Sequence, residues 1–156
     1  MKMTEQEWAR RELIEEWREQ LLLLSDPDPK KRCKAASQLG HVYGDYEGLS
    51  KALANEHDST VREYIAMGLG RTKNINAFTA LRSLLNDPSV RVRGHTINAM
   101  EELETSILLL DRTLNLDLRL QIIDTLSGLL QSEPNPDIRK LAETLQLHYL
   151  SITKRP

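Results

Sequence analysis

The chain has 156 residues, of which 28% are charged and 40% hydrophobic, and its formal net charge is −2. This length suits one domain with a substantial core, and the balance of charge excludes a protein that binds duplex nucleic acid through bulk positive charge. The single cysteine, Cys33, excludes an internal disulfide. No apolar run approaches the roughly 20 residues of a membrane span, and no signal peptide is recognisable, so we expect a cytoplasmic protein.

Helix signals run through the whole chain, and strand signals are nearly absent. Residues 4–24 are amphipathic, with Leu13, Trp17 and Leu21 on one side, and they predict an N-terminal capping helix. After the Pro-Asn-Pro sequence at 134–136, a last helix is predicted over residues 135–152 as the C-terminal cap. We therefore expect one all-α domain over residues 1–156, with repeats at 25–131 between the two caps.

The repeats are defined by arginines that follow turn-like sequences rich in Asp, Asn, Ser and Pro. The spacings between these arginines are 30, 31 and 26 residues, and the four are Arg32, Arg62, Arg93 and Arg119. Apolar residues recur three, four and seven positions after most of them, as one face of a helix requires. Each repeat would hold a first helix, at about 46–55, 75–85 and 106–113, followed by the arginine-bearing second helix. Such a period predicts an α-solenoid of stacked helix pairs.

Helical geometry places the arginines at the edge of the core side. We interpret them as a structural ladder, in which each guanidinium binds a turn carboxylate or a helix C-terminal carbonyl in its own or the next repeat. Arginine suits this role because its planar fork donates several hydrogen bonds at once.

Two segments carry a family resemblance: Ser-Thr-Val-Arg-Glu-Tyr-Ile-Ala-Met-Gly-Leu-Gly at 59–70 and Asp-Pro-Ser-Val-Arg-Val-Arg at 87–93. They resemble the HEAT-like repeats of phycobilisome lyases and their relatives, over roughly residues 24–130 of this chain. The resemblance implies an α-solenoid of about four HEAT-like helix pairs. It implies no single function, because such repeats occur in bilin lyases, in deoxyhypusine hydroxylase and in many adaptors.

Positions one, two and five residues after each arginine point away from the core. In a solenoid of this type they line the concave surface, and we call them the inner strip. Its formal charge is close to −1, which does not suit a nucleic-acid backbone. Tyr64, Met67, His95 and Leu120 give its centre the adaptable apolar character of a protein interface. The inner strip comprises Cys33, Lys34, Ser37, Glu63, Tyr64, Met67, Gly94, His95, Asn98, Leu120, Gln121 and Asp124.

The sequence favours no catalytic or metal site. The His-Glu pairs that deoxyhypusine hydroxylase places after its repeat arginines are missing here, and the Glu56-His57-Asp58 triplet is better explained as a helix-capping turn. Cys33 is interpreted as an unreactive helix residue, and Trp8 and Trp17 as packing anchors of the first helix.

Together these observations predict a non-enzymatic scaffold that binds a protein partner on its inner strip and needs no cofactor. Self-association remains an open possibility, whereas nucleic-acid and membrane partners are not expected. The alternative is a bilin lyase or a lyase-like subunit that handles a bilin chromophore, and this alternative rests on the resemblance.

Overall fold

A computed structural model describes residues 3–153, and these residues form an all-α fold without strands. A π-helical segment, Leu39–Tyr43, continues the second helix before the chain turns. The helices are α1 (Glu5–Leu23), α2 (Pro29–Gln38), α3 (Tyr46–Leu53), α4 (Ser59–Arg71), α5 (Ala77–Leu84), α6 (Val90–Leu108), α7 (Arg112–Ser132) and α8 (Pro136–Thr153).

Side-chain oxygens begin most of the helices, as the turn composition predicts. Thr4 and Glu7 form a reciprocal capping box at the start of α1. Asp28, Asp58 and Ser89 accept hydrogen bonds from first-turn N–H groups of α2, α4 and α6. These caps satisfy donors that the helices themselves leave unpaired, and they fix where each helix starts.

The second helices α2, α4 and α6 pack side by side, and each also packs against its own first helix. Their apolar positions are buried as the arginine register predicts: Ile65, Leu69, Ile97 and Met100 are fully inaccessible to solvent. The prediction of the core face is therefore confirmed. Because this face of α2, α4 and α6 is buried, the solvent-accessible residues of these helices lie mainly on their opposite sides.

Glycines allow these helices to approach closely. A Cβ on Gly40 would overlap the backbone of Gly68, and one on Gly70 would lie 2.7 Å from the carbonyl oxygen of Ala99. The sequence suggests that Gly40 and Gly70 end their helices, but both lie inside helical segments. The turn after the π-helical segment instead uses Gly44, whose φ of 61° is left-handed.

The fourth repeat differs from the prediction. No separate first helix forms at 106–113, because α6 continues to Leu108 and α7 starts at Arg112 after a short turn. Asn115, interpreted from the sequence as part of a turn, lies inside α7 with its side chain buried. The chain therefore folds as four successive pairs, α1–α2, α3–α4, α5–α6 and α7–α8. The helices predicted as caps, α1 and α8, are members of the terminal pairs.

Candidate functional site

An arginine ladder holds the turns of consecutive pairs together. The Nε and a terminal nitrogen of Arg32 donate to Glu56 at 2.8 and 3.1 Å, and those of Arg62 donate to Asp87 at 2.7 and 3.0 Å. Arg93 donates in the same way to Glu133, at 2.7 Å for both bonds. Each contact is a bidentate ion pair between a guanidinium and a carboxylate, and it joins one helix pair to the next.

Every ladder arginine also binds the turn of its own repeat. Arg32, Arg62 and Arg93 donate to the carbonyl oxygens of Asp26, Glu56 and Asp87, each six residues earlier in the chain. The acidic residue in turn accepts a hydrogen bond from the backbone N–H two residues on. An acidic residue followed six positions later by arginine thus forms one unit, which fixes both the turn and its contact with the next repeat.

Arg139, on α8, is the fourth arginine of this pattern. It donates to the carbonyl oxygen of Glu133, six residues earlier, at 2.7 and 3.2 Å. Its guanidinium has no carboxylate partner among the residues that the structure describes. Arg139 is not among the four arginines predicted as the ladder, although the six-residue spacing from Glu133 is present in the sequence.

Arg119 is not the fourth member of the ladder, which corrects the prediction. It lies on α7 and donates to Glu104 Oε1 and to Asn115 Oδ1, within the same region of the fold. Asn115 also donates to the carbonyl oxygen of Glu104, and the Arg119 guanidinium lies 5.6 Å from the ring centre of Tyr149. This network fastens the C-terminal part of α6 to α7 and α8.

Two ladder carboxylates have a depressed pKa. Burial alone would raise the pKa of Asp87, but the hydrogen bonds from Arg62 and from the Ser89 N–H outweigh it and lower the pKa below its usual 3.8. Hydrogen bonding from Arg93 lowers the pKa of Glu133 below its usual 4.5, against the opposing effect of burial. Both groups favour the charged form in the folded state.

This electrostatic arrangement predicts a particular acid sensitivity. The unfolded chain takes up protons at the usual pKa, so the contribution of Glu133 is complete above about pH 4.5 and is lost as pH falls through the depressed folded pKa. We expect the free energy of unfolding to decline below about pH 4.5, and to decline less steeply in Glu133→Gln. Urea denaturation at stepped pH measures both slopes. Equal slopes in the two proteins would contradict a charged Glu133 in the ladder.

The part of the inner strip on α2, α4 and α6 lies on the side of these helices away from the buried core. Lys34, Tyr64 and Asn98 are exposed, with 38% of Tyr64 accessible. Ser37, Met67 and His95 are half-buried, as are Cys33 and Gly94. We call Lys34, Ser37, Tyr64, Met67, His95 and Asn98 the inner face.

Glu63 was predicted as an exposed member of the inner strip, but it is only 4% exposed. Its Oε2 accepts a hydrogen bond of 3.1 Å from Arg91, which reaches over from α6, and lies 3.6 Å from Nε2 of His95. Contacts from the neighbouring helix cover the carboxylate, so Glu63 is a structural part of the surface. Arg91, which the angular positions after each arginine do not predict as part of this surface, has an exposed side chain.

Leu120, Gln121 and Asp124 are exposed, but they lie on α7 and do not continue the row of second helices. Asp124 lines a groove together with Arg82 and Asn86, at the α5 side of the molecule. The fourth second helix is α8, so these three residues belong to a different surface from the inner face. The predicted strip thus ends at Asn98 on α6.

A groove of about 420 Å³ runs between α2 and α4, and it includes Lys34, Ser37 and Tyr64 of the inner face. Lys30, Cys33 and Lys34 line one side, and Thr60 and Tyr64 line the other. Burial raises the pKa of the Cys33 thiol above its usual 9.0, so the group is held in the protonated, less nucleophilic form. The groove therefore offers binding chemistry rather than a reactive thiol.

The two tryptophans, both predicted as packing anchors, differ. Trp17 packs against the core and donates from Nε1 to Asp45 at 2.9 Å, which ties α1 to the start of α3. Trp8 is 57% exposed and is not such an anchor.

Within residues 3–153, no three His, Cys, Asp or Glu side chains are placed to share a metal ion. Nor does any helix in that range combine the length and apolar composition of a membrane crossing.

Comparison with known proteins assigns the family. The family model of HEAT repeats matches residues 46–146, which span α3 to most of α8. No curated protein matches the chain. The matched range contains Arg62, Arg93 and Arg139 of the second helices and most of the inner face. With a match over well more than half of its length, the chain belongs to the HEAT repeat family.

Proposed function

We propose that this protein is a non-catalytic scaffold that binds a protein partner on its inner face. HEAT repeats often serve as interaction scaffolds, and stacked helix pairs present extended surfaces on which a partner can lie. The observation that carries the proposal is the exposed ring of Tyr64 on α4, with half-buried Met67 on the same helix and half-buried His95 on the neighbouring helix α6.

The residue types on this surface support the proposal. Tyrosine offers a large, stiff contact area with a polar tip, and methionine adapts to irregular partner surfaces. The backbone beneath them is held by the ladder and by close contacts at Gly40 and Gly70. A rigid surface loses little conformational entropy on binding, which favours affinity.

We expect the double variant Tyr64→Ala/Met67→Ala to weaken partner binding at least tenfold, because central aromatic contacts contribute about 2 kcal/mol or more each. A pull-down followed by titration with the recovered partner measures the change. The matched control is Leu120→Ala/Gln121→Ala, which removes exposed side chains from α7 and should leave affinity unchanged. The proposal fails if the α7 variant loses the partner and the α4 variant keeps it.

The bilin lyase alternative rests on the sequence resemblance. Mixing the protein with phycocyanobilin and an apo-phycobiliprotein separates the two functions, since chromophore attachment shifts the visible absorption band. We expect no shifted band. A shifted band that appears only when this protein is present would contradict the scaffold function and support the lyase function.

A further inference from the structure

Two lysines of α2, Lys34 of the inner face and its neighbour Lys30, form no ion pair within the part of the chain that the structure describes. Lys30 and Lys34 are exposed and lie one helical turn apart on α2, on the same side of the groove between α2 and α4. Neither ammonium group forms an ion pair within 4.0 Å with a carboxylate among residues 3–153. Their ammonium groups therefore remain available to a partner.

Two arginines of α4 and α6 near this surface are already paired. Arg91 donates to Glu63 at 3.1 Å, and Arg71 donates to Glu102 at 3.0 Å. The acidic residue at the start of α4, Asp58, accepts the N–H groups of Thr60 and Val61. The cations that line the α2–α4 groove itself, Lys30 and Lys34, are thus left without an ion pair to any described residue.

The groove also has an apolar component. The ring of Tyr64 and the thiol of Cys33 line it together with the two lysines, whose long aliphatic stems add apolar surface. Such a groove matches a segment that carries both carboxylates and an apolar side chain. Carboxylates at alternate positions of an extended segment stand roughly 6–7 Å apart, close to the spacing of side chains one helical turn apart.

We propose that this groove binds a segment of the partner protein that contains acidic residues and a leucine or similar apolar residue. Its carboxylates would pair with Lys30 and Lys34, and its apolar side chain would pack against Tyr64. The inference rests on the proposed function and adds the chemistry of the partner. Electrostatic complementarity of this kind contributes mainly to specificity and association rate.

A short fluorescein-labelled peptide of Glu, Leu and Ser, compared with the same peptide carrying Gln for Glu, tests the inference. Fluorescence anisotropy should show about tenfold weaker binding of the Gln peptide at low salt, and a smaller difference at about 0.5 M salt, because screening shortens the reach of the charges. The bound Glu peptide should also slow alkylation of Cys33, the only cysteine in the chain.

The decisive variant is Lys30→Glu/Lys34→Glu, which should bind the Glu peptide about tenfold more weakly. Negative charge near the start of α2 suits the helix dipole, so the fold should be retained. The matched control, Lys51→Glu/Arg112→Glu, changes the net charge equally at exposed positions outside the groove and should bind as the unchanged protein does.

Three results would overturn the inference: equal binding of the Glu and Gln peptides, equal loss in the two double variants, or a concentration-dependent dimer that Lys30→Glu/Lys34→Glu abolishes. The last would assign the groove to a second copy of the chain. Binding of the recovered partner distinguishes failure of this inference from failure of the proposed scaffold function. If Tyr64→Ala/Met67→Ala weakens it but the lysine reversal does not, the scaffold stands without the acidic segment.

Discussion

Arg93→Ala is expected to lower the free energy of unfolding by about 3–5 kcal/mol, the usual cost of leaving one partner of a buried ion pair alone. The side chain of Glu133 is 1% exposed and that of Arg93 is 10% exposed, so this contact is the most deeply buried of the ladder. The substitution would also leave the carbonyl oxygen of Asp87 without its guanidinium donor. Urea denaturation followed by far-ultraviolet circular dichroism measures the loss.

Two arginines provide matched controls for this prediction. Arg139 binds the carbonyl oxygen of its turn but no carboxylate, so Arg139→Ala should cost only about 1 kcal/mol. Arg18 forms an exposed pair with Glu15 within α1, and Arg18→Ala should change stability by less than about 0.5 kcal/mol. A loss in Arg93→Ala no larger than that in Arg18→Ala would show that the ladder does not stabilise the stack.

Gly40→Ala is the second large expected effect, a loss of about 2–3 kcal/mol from overpacking. Alanine has the better helix propensity, by about 1 kcal/mol. Here the added methyl group would overlap the backbone of Gly68, which cannot move aside as a flexible side chain can. The helices would have to separate, and the contacts of the neighbouring core residues would weaken.

Gly128 is the control that isolates this effect, because a Cβ there meets no atom within 4 Å. Gly128→Ala should raise the free energy of unfolding by about 0.5–1 kcal/mol through helix propensity. The same chemical change should therefore have opposite signs at the two positions, which thermal or urea denaturation can measure directly. Stabilisation at both would mean that the contact between the π-helical segment and α4 is looser than the structure shows.

Much of the fold follows from local patterns in the sequence. The positions three, four and seven residues after the first three arginines are buried because helical periodicity and burial agree there, as at Ile65 and Ile97. Turn residues such as Asp58 and Ser89 were also placed correctly, since capping depends on groups within one helical turn.

The fourth repeat could not be placed from helix periodicity alone. Leu118, one residue before Arg119, and Ile122 and Leu126, three and seven residues after it, are buried as in the repeats of Arg62 and Arg93, so the apolar pattern did not distinguish this repeat from the others. The turn acid distinguishes the cases: Asp87 precedes Arg93 by six residues and Glu133 precedes Arg139 by six, whereas Thr113 stands six residues before Arg119. The pattern of an acidic turn residue six positions before a helix arginine would have identified Arg139.

The candidate site could be predicted only in part, because the position of a residue around one helix does not indicate its contacts with another helix. Angular position on a helix indicates that Tyr64 and His95 face away from the core, and they do. It does not indicate that Arg91 reaches across from α6 to cover Glu63, because that contact joins two helices far apart in the chain. Lys30, two residues before Arg32, lies on the same side but was left out of the strip.

The most direct test of the account is to map the bound partner on the surface by NMR chemical shifts of the ¹⁵N-labelled protein. We predict that the recovered partner shifts the resonances of Lys34, Tyr64, Met67 and His95, and leaves those of Gln121 and Asp124 on α7 unchanged. Shifts confined to α7, or to the exposed outer side of α1 around Trp8, would contradict the inner face as the binding surface.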